Sequence, residues 1–241
     1  MEGQHTIHSF DEELRNLTNH IGGMGGYAER MVEQAVSALV SADTELAKKV
    51  IEDDALLDQK EREIGEDAVF IIAKRQPMAS DLREILGAIR ISGDLERVGD
   101  LGKNIAKRVT AISEARQPVR LFRGITALSD LALAQLKEVL DAYASRSAEK
   151  LGFVRDRDEE IDAMYTSLFR ELLTYMMEDP RNITACTHLI FCAKNIERIG
   201  DHATNIAETV YHIITGNTMP PERPKEDKSH RIVAPVPGAG G

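Results

Sequence analysis

The chain has 241 residues, a formal net charge of −10, 5% aromatic residues and no Trp. That acidic balance argues against a nucleic-acid groove or a polybasic lipid-binding surface, and its plainest use is solubility. The longest apolar runs, such as AVFIIA at 68–73, fall far short of the about 20 residues that span a bilayer.

The N-terminal MEGQHTIHSFDEEL lacks the basic and apolar regions of a signal peptide, so a cytoplasmic protein is expected. Ser9 followed by Glu12 reads as a capping box that opens a first helix over 9–40. That helix contains GGMGG at 22–26, and each mid-helix Gly costs about 1 kcal/mol relative to Ala. The stretch lacks the GKS or GKT ending and the preceding strand of a phosphate-binding loop. It is read as a close approach to a neighbouring helix, with a local kink as the rival.

Ser41 or Asp43 caps a second helix to Arg75, with Val50, Leu57, Ile64 and Ile71 at heptad spacing. Gln76-Pro77 ends it, because proline drives the preceding residue out of the α region. Ser80 and Asp81 open a third helix to about 113, striped by Leu82, Ile85, Leu86, Ile89, Leu95 and Val98. Gln117-Pro118 breaks the chain, and the plan then repeats. A fourth helix over 118–146 carries Leu128, Leu131, Leu136, Val139 and Leu140. A fifth over 149–178 carries Phe153, Ile161, Tyr165, Leu168, Leu172 and Met176. Glu178-Asp179-Pro180 is the joint to a sixth helix over 182–215, closed by Gly216.

No stretch alternates with period two, so no sheet is expected. Helices this long joined by tight turns are antiparallel neighbours, which predicts an all-α chain of two tandem up-down-up three-helix bundles. The expected domains are 1–115, 116–216 and a Pro- and Gly-rich disordered tail at 217–241. Cys186 and Cys192 match neither a redox nor a zinc spacing and read as buried thiols.

The two halves share one motif. Residues 94–106 read DLERVGDLGKNIA and 195–207 read NIERIGDHATNIA, with seven identities at a constant offset of 101. Such self-similarity marks two copies of one structural unit. Each copy holds a carboxylate pair at i and i+4, which a helix stacks on one face about 6 Å apart.

Folding each half at its second joint brings further carboxylates to the same level. Glu96 and Asp58 both lie 19 residues from Pro77, and Asp100 and Asp54 both lie 23 away. In the second half, Asp162 with Glu197 and Asp158 with Asp201 centre on the Asp179-Pro180 bond. Four carboxylates at one level between packed helices repel unless cations sit among them. Two readings stay open: Arg97 and Arg198 as a structural ion-pair network, or a cluster of metal ions on all-oxygen ligands. Histidine takes no part, because His202 has Leu101 as its counterpart and no Glu-xxx-His motif stands beside the pairs. His188 and His212 read as ordinary helix residues. Helix one offers Gly25, Gly26 and Glu29 at the level of the carboxylates, and helix four offers Leu133 and Lys137, so neither supplies a ligand in both halves. No partnered Ser or Cys nucleophile, dinucleotide motif or P-loop is visible.

These motifs, with RQPMASDLR at the first joint and MMEDPRNIT at the second, closely resemble the PhoU family across residues 9–216. The resemblance implies a pair of three-helix bundles, a homodimer, and multinuclear metal clusters held by the Glu/Asp-xxx-Asp motifs. Carried over, the metal-binding positions are Asp54, Asp58, Glu96 and Asp100 in one half and Asp158, Asp162, Glu197 and Asp201 in the other. The metal, whether iron, manganese, magnesium or zinc, is not specified by these residues. The resemblance further implies a non-enzymatic negative regulator of phosphate uptake and phosphate-starvation signalling. Its partners would be the phosphate transporter's ATPase subunit and a phosphate-responsive sensor histidine kinase, with membrane contact only through them. The GGMGG stretch and the tail are not features of that pattern. Two other readings compete, a metal-dependent phosphoesterase and a purely structural helical scaffold.

Overall fold

The computed structural model describes residues 2–112 and 119–219. They form six long helices: α1 Glu2–Ser41, α2 Thr44–Arg75, α3 Ser80–Ile112, α4 Val119–Ser145, α5 Val154–Glu178 and α6 Ile183–Thr215. Short 3₁₀ turns at Ala148–Leu151 and Pro180–Asn182 precede α5 and α6, and no strand occurs among the described residues. Helices α1–α3 make one three-helix bundle and α4–α6 the other. The expected break at Gln117-Pro118 and the tail from 220 onward lie outside the described residues.

Helix ends follow local chemistry. Asp43 is the N-cap of α2, its carboxylate accepting from the backbone N–H groups of Glu45 and Leu46 at 3.1 and 2.9 Å. Gln76 ends α2 in the left-handed region at φ 51°, directly before Pro77. Gly216 closes α6 at φ 75°, a conformation that glycine adopts without a Cβ clash. The capping box expected at Ser9 does not form, because α1 already runs from Glu2. The Ser9 hydroxyl instead accepts from Arg75 Nη2 at 2.5 Å.

The heptad residues Val50, Leu57, Ile64 and Ile71 are all buried, as the periodicity requires. Two residues expected in the core are not there. Leu86 is exposed on α3, and Phe153 precedes α5 with 67% of its surface exposed.

The bundles pack mainly through α3 against α6, with α1 against α4 beside them. Asp94 meets His202 at 2.9 Å and Arg108 meets His188 at 3.2 Å, while Gly87 faces Thr209 and Ile213. Rising positions on α3 meet falling positions on α6, so the two helices are antiparallel. Their motif copies therefore sit back to back at one height, midway along the molecule.

The GGMGG stretch does not break α1. Only Gly25 makes the close approach: a Cβ there would lie 2.5 Å from Leu140 Cδ1 of α4. Gly22 and Gly23 have open space around them, and Gly26 meets only Arg30. Gly22→Ala and Gly23→Ala should therefore each stabilise the protein by up to about 1 kcal/mol, from helix propensity alone. Gly25→Ala should lower stability by pushing Leu140 away, and urea unfolding of the three variants checks the ranking.

Helix α1 is tied to the end of α2 by Glu13, which accepts from Arg75 Nε and Lys74 Nζ, each at 2.8 Å. The Arg75 hydrogen bond, helped by Lys74 and opposed by burial, holds the Glu13 carboxyl at about 2, against 4.5 for a free Glu. A lowered pKa contributes stability above the unfolded value and loses it as pH falls toward the folded one. The stability gap between wild type and Glu13→Gln should thus be full at pH 7, shrink from about pH 4.5, and close near pH 2 in urea titrations.

Candidate metal centre

The motif glycines bring the helices together. A Cβ on Gly99 would collide with Leu57 Cδ2 of α2, and one on Gly200 would lie 3.0 Å from Ile161 Cδ1 of α5. Each glycine sits immediately before the motif aspartate. It lets α3 settle onto α2, and α6 onto α5, at the level of the carboxylates.

In the first bundle, Asp54 and Asp58 project from α2 and Glu96 and Asp100 from α3. Asp54 is only 7% exposed. Burial raises the pKa of Glu96, and the negative charges of Asp100, Asp58 and Asp54 raise it further. Glu96 therefore feels the other three carboxylates of its bundle. The positive charge of Arg97 opposes that rise, and the cation that bridges the two helices is Lys103. Its Nζ lies 2.5 Å from Asp54 Oδ2 and 2.5 Å from Asp100 Oδ1, joining α2 to α3. Burial pulls the Lys103 pKa down, but the hydrogen bonds it donates to Asp100 and Asp54 outweigh that and hold the ammonium charged.

The second bundle repeats the carboxylates with different support. Asp158 is 8% exposed, and its Oδ1 accepts from Thr204 Oγ1 at 3.1 Å. Thr204 in turn accepts from Gln135 Nε2 of α4 at 2.9 Å, and Gln135 is fully buried. Glu197 is held by Lys194 Nζ at 2.6 Å, one turn back on the same helix. Burial raises the Glu197 pKa against the pull of Lys194, and the charges of Asp201 and Asp162 add to the rise. Its second oxygen, Oε2, is buried with no hydrogen-bond partner. A carboxylate oxygen so placed is expensive to leave bare and suits a hard cation.

The carboxylates share a level without forming a closed ligand sphere. Among the described residues, no group of three or more His, Cys, Asp or Glu side chains is arranged to hold a metal ion. The arginine ion-pair network, one of the two readings left open, does not form among the described residues. Arg97 and Arg198 are exposed on the outer faces of their helices, and the lysines supply the charge. Both lysines stand three residues from a motif carboxylate, a spacing that marks neighbours on one helix face.

Helix one supplies no ligand to the first cluster. Burial raises the pKa of Glu29, and the charges of Lys137 and Asp141 also act on it, so it faces α4. His202 and His188 serve the bundle interface. His202 pairs with Asp94, and His188 with Arg108, whose guanidinium also stacks 4.2 Å from the Phe191 ring. Both cysteines are buried free thiols, and burial pushes Cys192 up to about 12.

The glycine spacing makes a measurable claim. Leu57 is fully buried, so its methyl cannot swing away from an added Cβ. Gly99→Ala should destabilise by about 1–3 kcal/mol. Gly200→Ala should cost less, because its Cβ would meet Ile161 Cδ1 at 3.0 Å and not overlap it as at Leu57, so a smaller shift relieves the contact, and thermal melts of both variants test the order.

The PhoU domain model matches residues 21–109 and 125–210, one match for each bundle. The chain is 67% identical to the phosphate-specific transport system accessory protein PhoU homolog of Rhizobium meliloti, over 96% of this chain and 98% of that one. It is 48% identical to the protein of the same name from Caulobacter vibrioides, over 93% and 97% of the two chains. The crystal structure of PhoU from Pseudomonas aeruginosa superposes with a TM-score of 0.80 at 40% identity, covering 86% of this chain and all of that one. The phosphate transport system regulatory protein PhoU of Streptococcus pneumoniae gives 0.81 at 29% identity, covering 88% and 99%. Twin bundles, twin acidic motifs and matches along nearly the whole length lead to one conclusion: the chain belongs to the PhoU family, whose members are regulatory accessory proteins and not enzymes.

Proposed function

We propose that this chain is a cytoplasmic negative regulator of phosphate uptake and of phosphate-starvation signalling. It acts by docking as a homodimer on the phosphate transporter's ATPase subunit and on a phosphate-responsive sensor histidine kinase. The observation that carries the reading is the 67% identity, over nearly all of both chains, to an accessory protein of phosphate-specific transport. Among the described residues no helix is long and apolar enough to cross a membrane, which is consistent with contact made through partners.

The metal part of the reading rests on the chemistry of the donors. Asp54, Asp58, Glu96 and Asp100 would hold one cluster, and Asp158, Asp162, Glu197 and Asp201 the other. All eight offer hard carboxylate oxygen, which suits iron, manganese, magnesium or zinc in that order of neither preference nor exclusion. The bare buried Oε2 of Glu197 supports the fit. Bound metal supplies positive charge that relieves repulsion between α2 and α3 and between α5 and α6. The chain's own contribution is to present the four carboxylates of each pair of helices at one level. A partner that prefers the closed bundles then binds more tightly to the loaded protein, by linkage.

The test is a pull-down from membrane extracts of phosphate-replete cells. Wild type should retain both the ATPase and the kinase. A variant carrying Asp54→Asn, Asp100→Asn, Asp158→Asn and Asp201→Asn should retain several-fold less of each and purify with less metal. Equal recovery by the two proteins separates docking from the metal sites. Failure of wild type to retain either partner defeats the regulatory reading.

A further inference from the structure

A cleft of about 600 Å³ opens in the second bundle between the end of α4 and the start of α5. Glu138 and Asp141 of α4 and Asp156 and Glu160 of α5 line it, against Lys150 and Arg157. Four carboxylates thus face two cations, and Arg157 is already engaged by Glu138 at 3.1 Å. Beside them stands Phe153, 67% exposed, because its neighbours Leu151 and Val154 take the buried side of the turn. A bare aromatic ring next to surplus negative charge suits an occupant that is both basic and apolar.

The chain itself carries such a segment, and it starts from the right end of the bundle. The 3₁₀ turn at Ala148–Leu151 borders the cleft through Lys150 and packs against both α4 and α6. Arg83 donates to the Ile213 carbonyl near the end of α6, while the adjacent Glu84 pairs with Arg146 just beyond α4. The ends of α4 and α6 are therefore neighbours. Of the residues that follow, the acids Glu222, Glu226 and Asp227 all precede position 228. Residues 228–236 read KSHRIVAPV, with Lys228 and Arg231 followed by Ile232, Val233 and Val236. The stretch from Gly216 to Lys228 can span about 40 Å at about 3.3–3.6 Å per residue. Glu138 lies only about 10 Å along α4 from its end.

We propose that residues 228–236 dock in this cleft of their own chain, with Lys228 and Arg231 against the carboxylates and Ile232 and Val233 over Phe153. For that segment the proposal replaces the expectation of a disordered tail. Opposite charges fix the orientation, and the aliphatic side chains remove the Phe153 ring from water. Prolines 235 and 237 restrict the segment beforehand, so less freedom is lost on docking. The tether also keeps it at high local concentration, so a modest affinity is enough to fill the cleft. The tail is then a built-in competitor, and a basic, apolar segment of another protein reaches this face only by displacing it.

Because the chain has no Trp, Phe153→Trp places a single fluorescent reporter at the cleft. That variant is compared with the same variant truncated after Met219, with circular dichroism to confirm that both fold. The full chain should emit at shorter wavelength and resist acrylamide quenching several-fold better than the truncated one. Lys228→Glu/Arg231→Glu, or about 1 M NaCl, where the screening length is about 3 Å, should move the full chain toward the truncated value. Adding Asp156→Lys/Glu160→Lys to the tail charge variant should restore protection, a rescue that a mere loss of stability would not give. Equal emission and quenching in the full and truncated chains overturns the inference and leaves the cleft open to another protein. Protection of the truncated reporter by added wild-type chain assigns the tail to a second copy and overturns docking within one chain.

Discussion

Two antiparallel helices that carry two carboxylates each at one level need positive charge between them. Two like charges about 4 Å apart repel by about 4 kcal/mol at an effective dielectric of 20. Lys103 in the first bundle and Lys194 in the second supply the compensating charge within the chain itself. The rest of the local design serves the same constraint. Gly99 and Gly200 permit the close approach, Leu57 and Ile161 fill the contact beneath it, and Asp54 and Asp158 are the most buried acids of the two clusters.

The same two helices also hold the molecule together. One face of α3 carries the acidic motif toward α2, and another packs against α6, where Asp94 meets His202 and Arg108 meets His188. The buried Glu84 of α3 adds an ion pair to Arg146, in the turn after α4. Arg83 donates to the backbone carbonyl of Ile213 near the end of α6. Any splaying of α2 from α3 therefore acts on a helix that is also half of the bundle interface. This gives the acidic clusters a physical route to the overall shape, through a rigid element that both share.

Duplication copied the scaffold more faithfully than its polar support. Glu, Arg, Gly and Asp persist in both motif copies, together with the Asn-Ile-Ala that follows. Around them the supporting residues have diverged: Lys103 against Thr204, Gly93 against Lys194, Leu101 against His202. The second cluster also draws on a third helix, through Gln135 and Thr204. Its Gln135 leaves one buried oxygen without a hydrogen-bond partner, a polar strain absent from the glycine-lined face of α1 at that level. Two units with one backbone plan have become two chemically different sites.

Much of this was legible in the chain alone. Apolar spacing set by 3.6 residues per turn determined six helices, and Pro77, Pro180 and Gly216 determined where three of them end, because backbone preference is local. Equal distances from the joints matched Asp54 with Asp100, which Lys103 bridges, and Asp162 with Glu197, which feels its charge, since a tight hairpin admits one register. Tertiary structure alone decided the rest. It showed that Gly25, and not its three neighbours, meets α4, and that Leu86 and Phe153 face solvent. It also showed that the ammonium of Lys103, and not an arginine, bridges Asp54 and Asp100, while Arg97 acts on Glu96 through its charge. Arg97 follows Glu96 by one residue and turns about 100° away from it, which the helix geometry allowed one to foresee. The reach of Lys103 across to another helix could not be foreseen, because that contact depends on the interaxial distance set by core packing far along the chain.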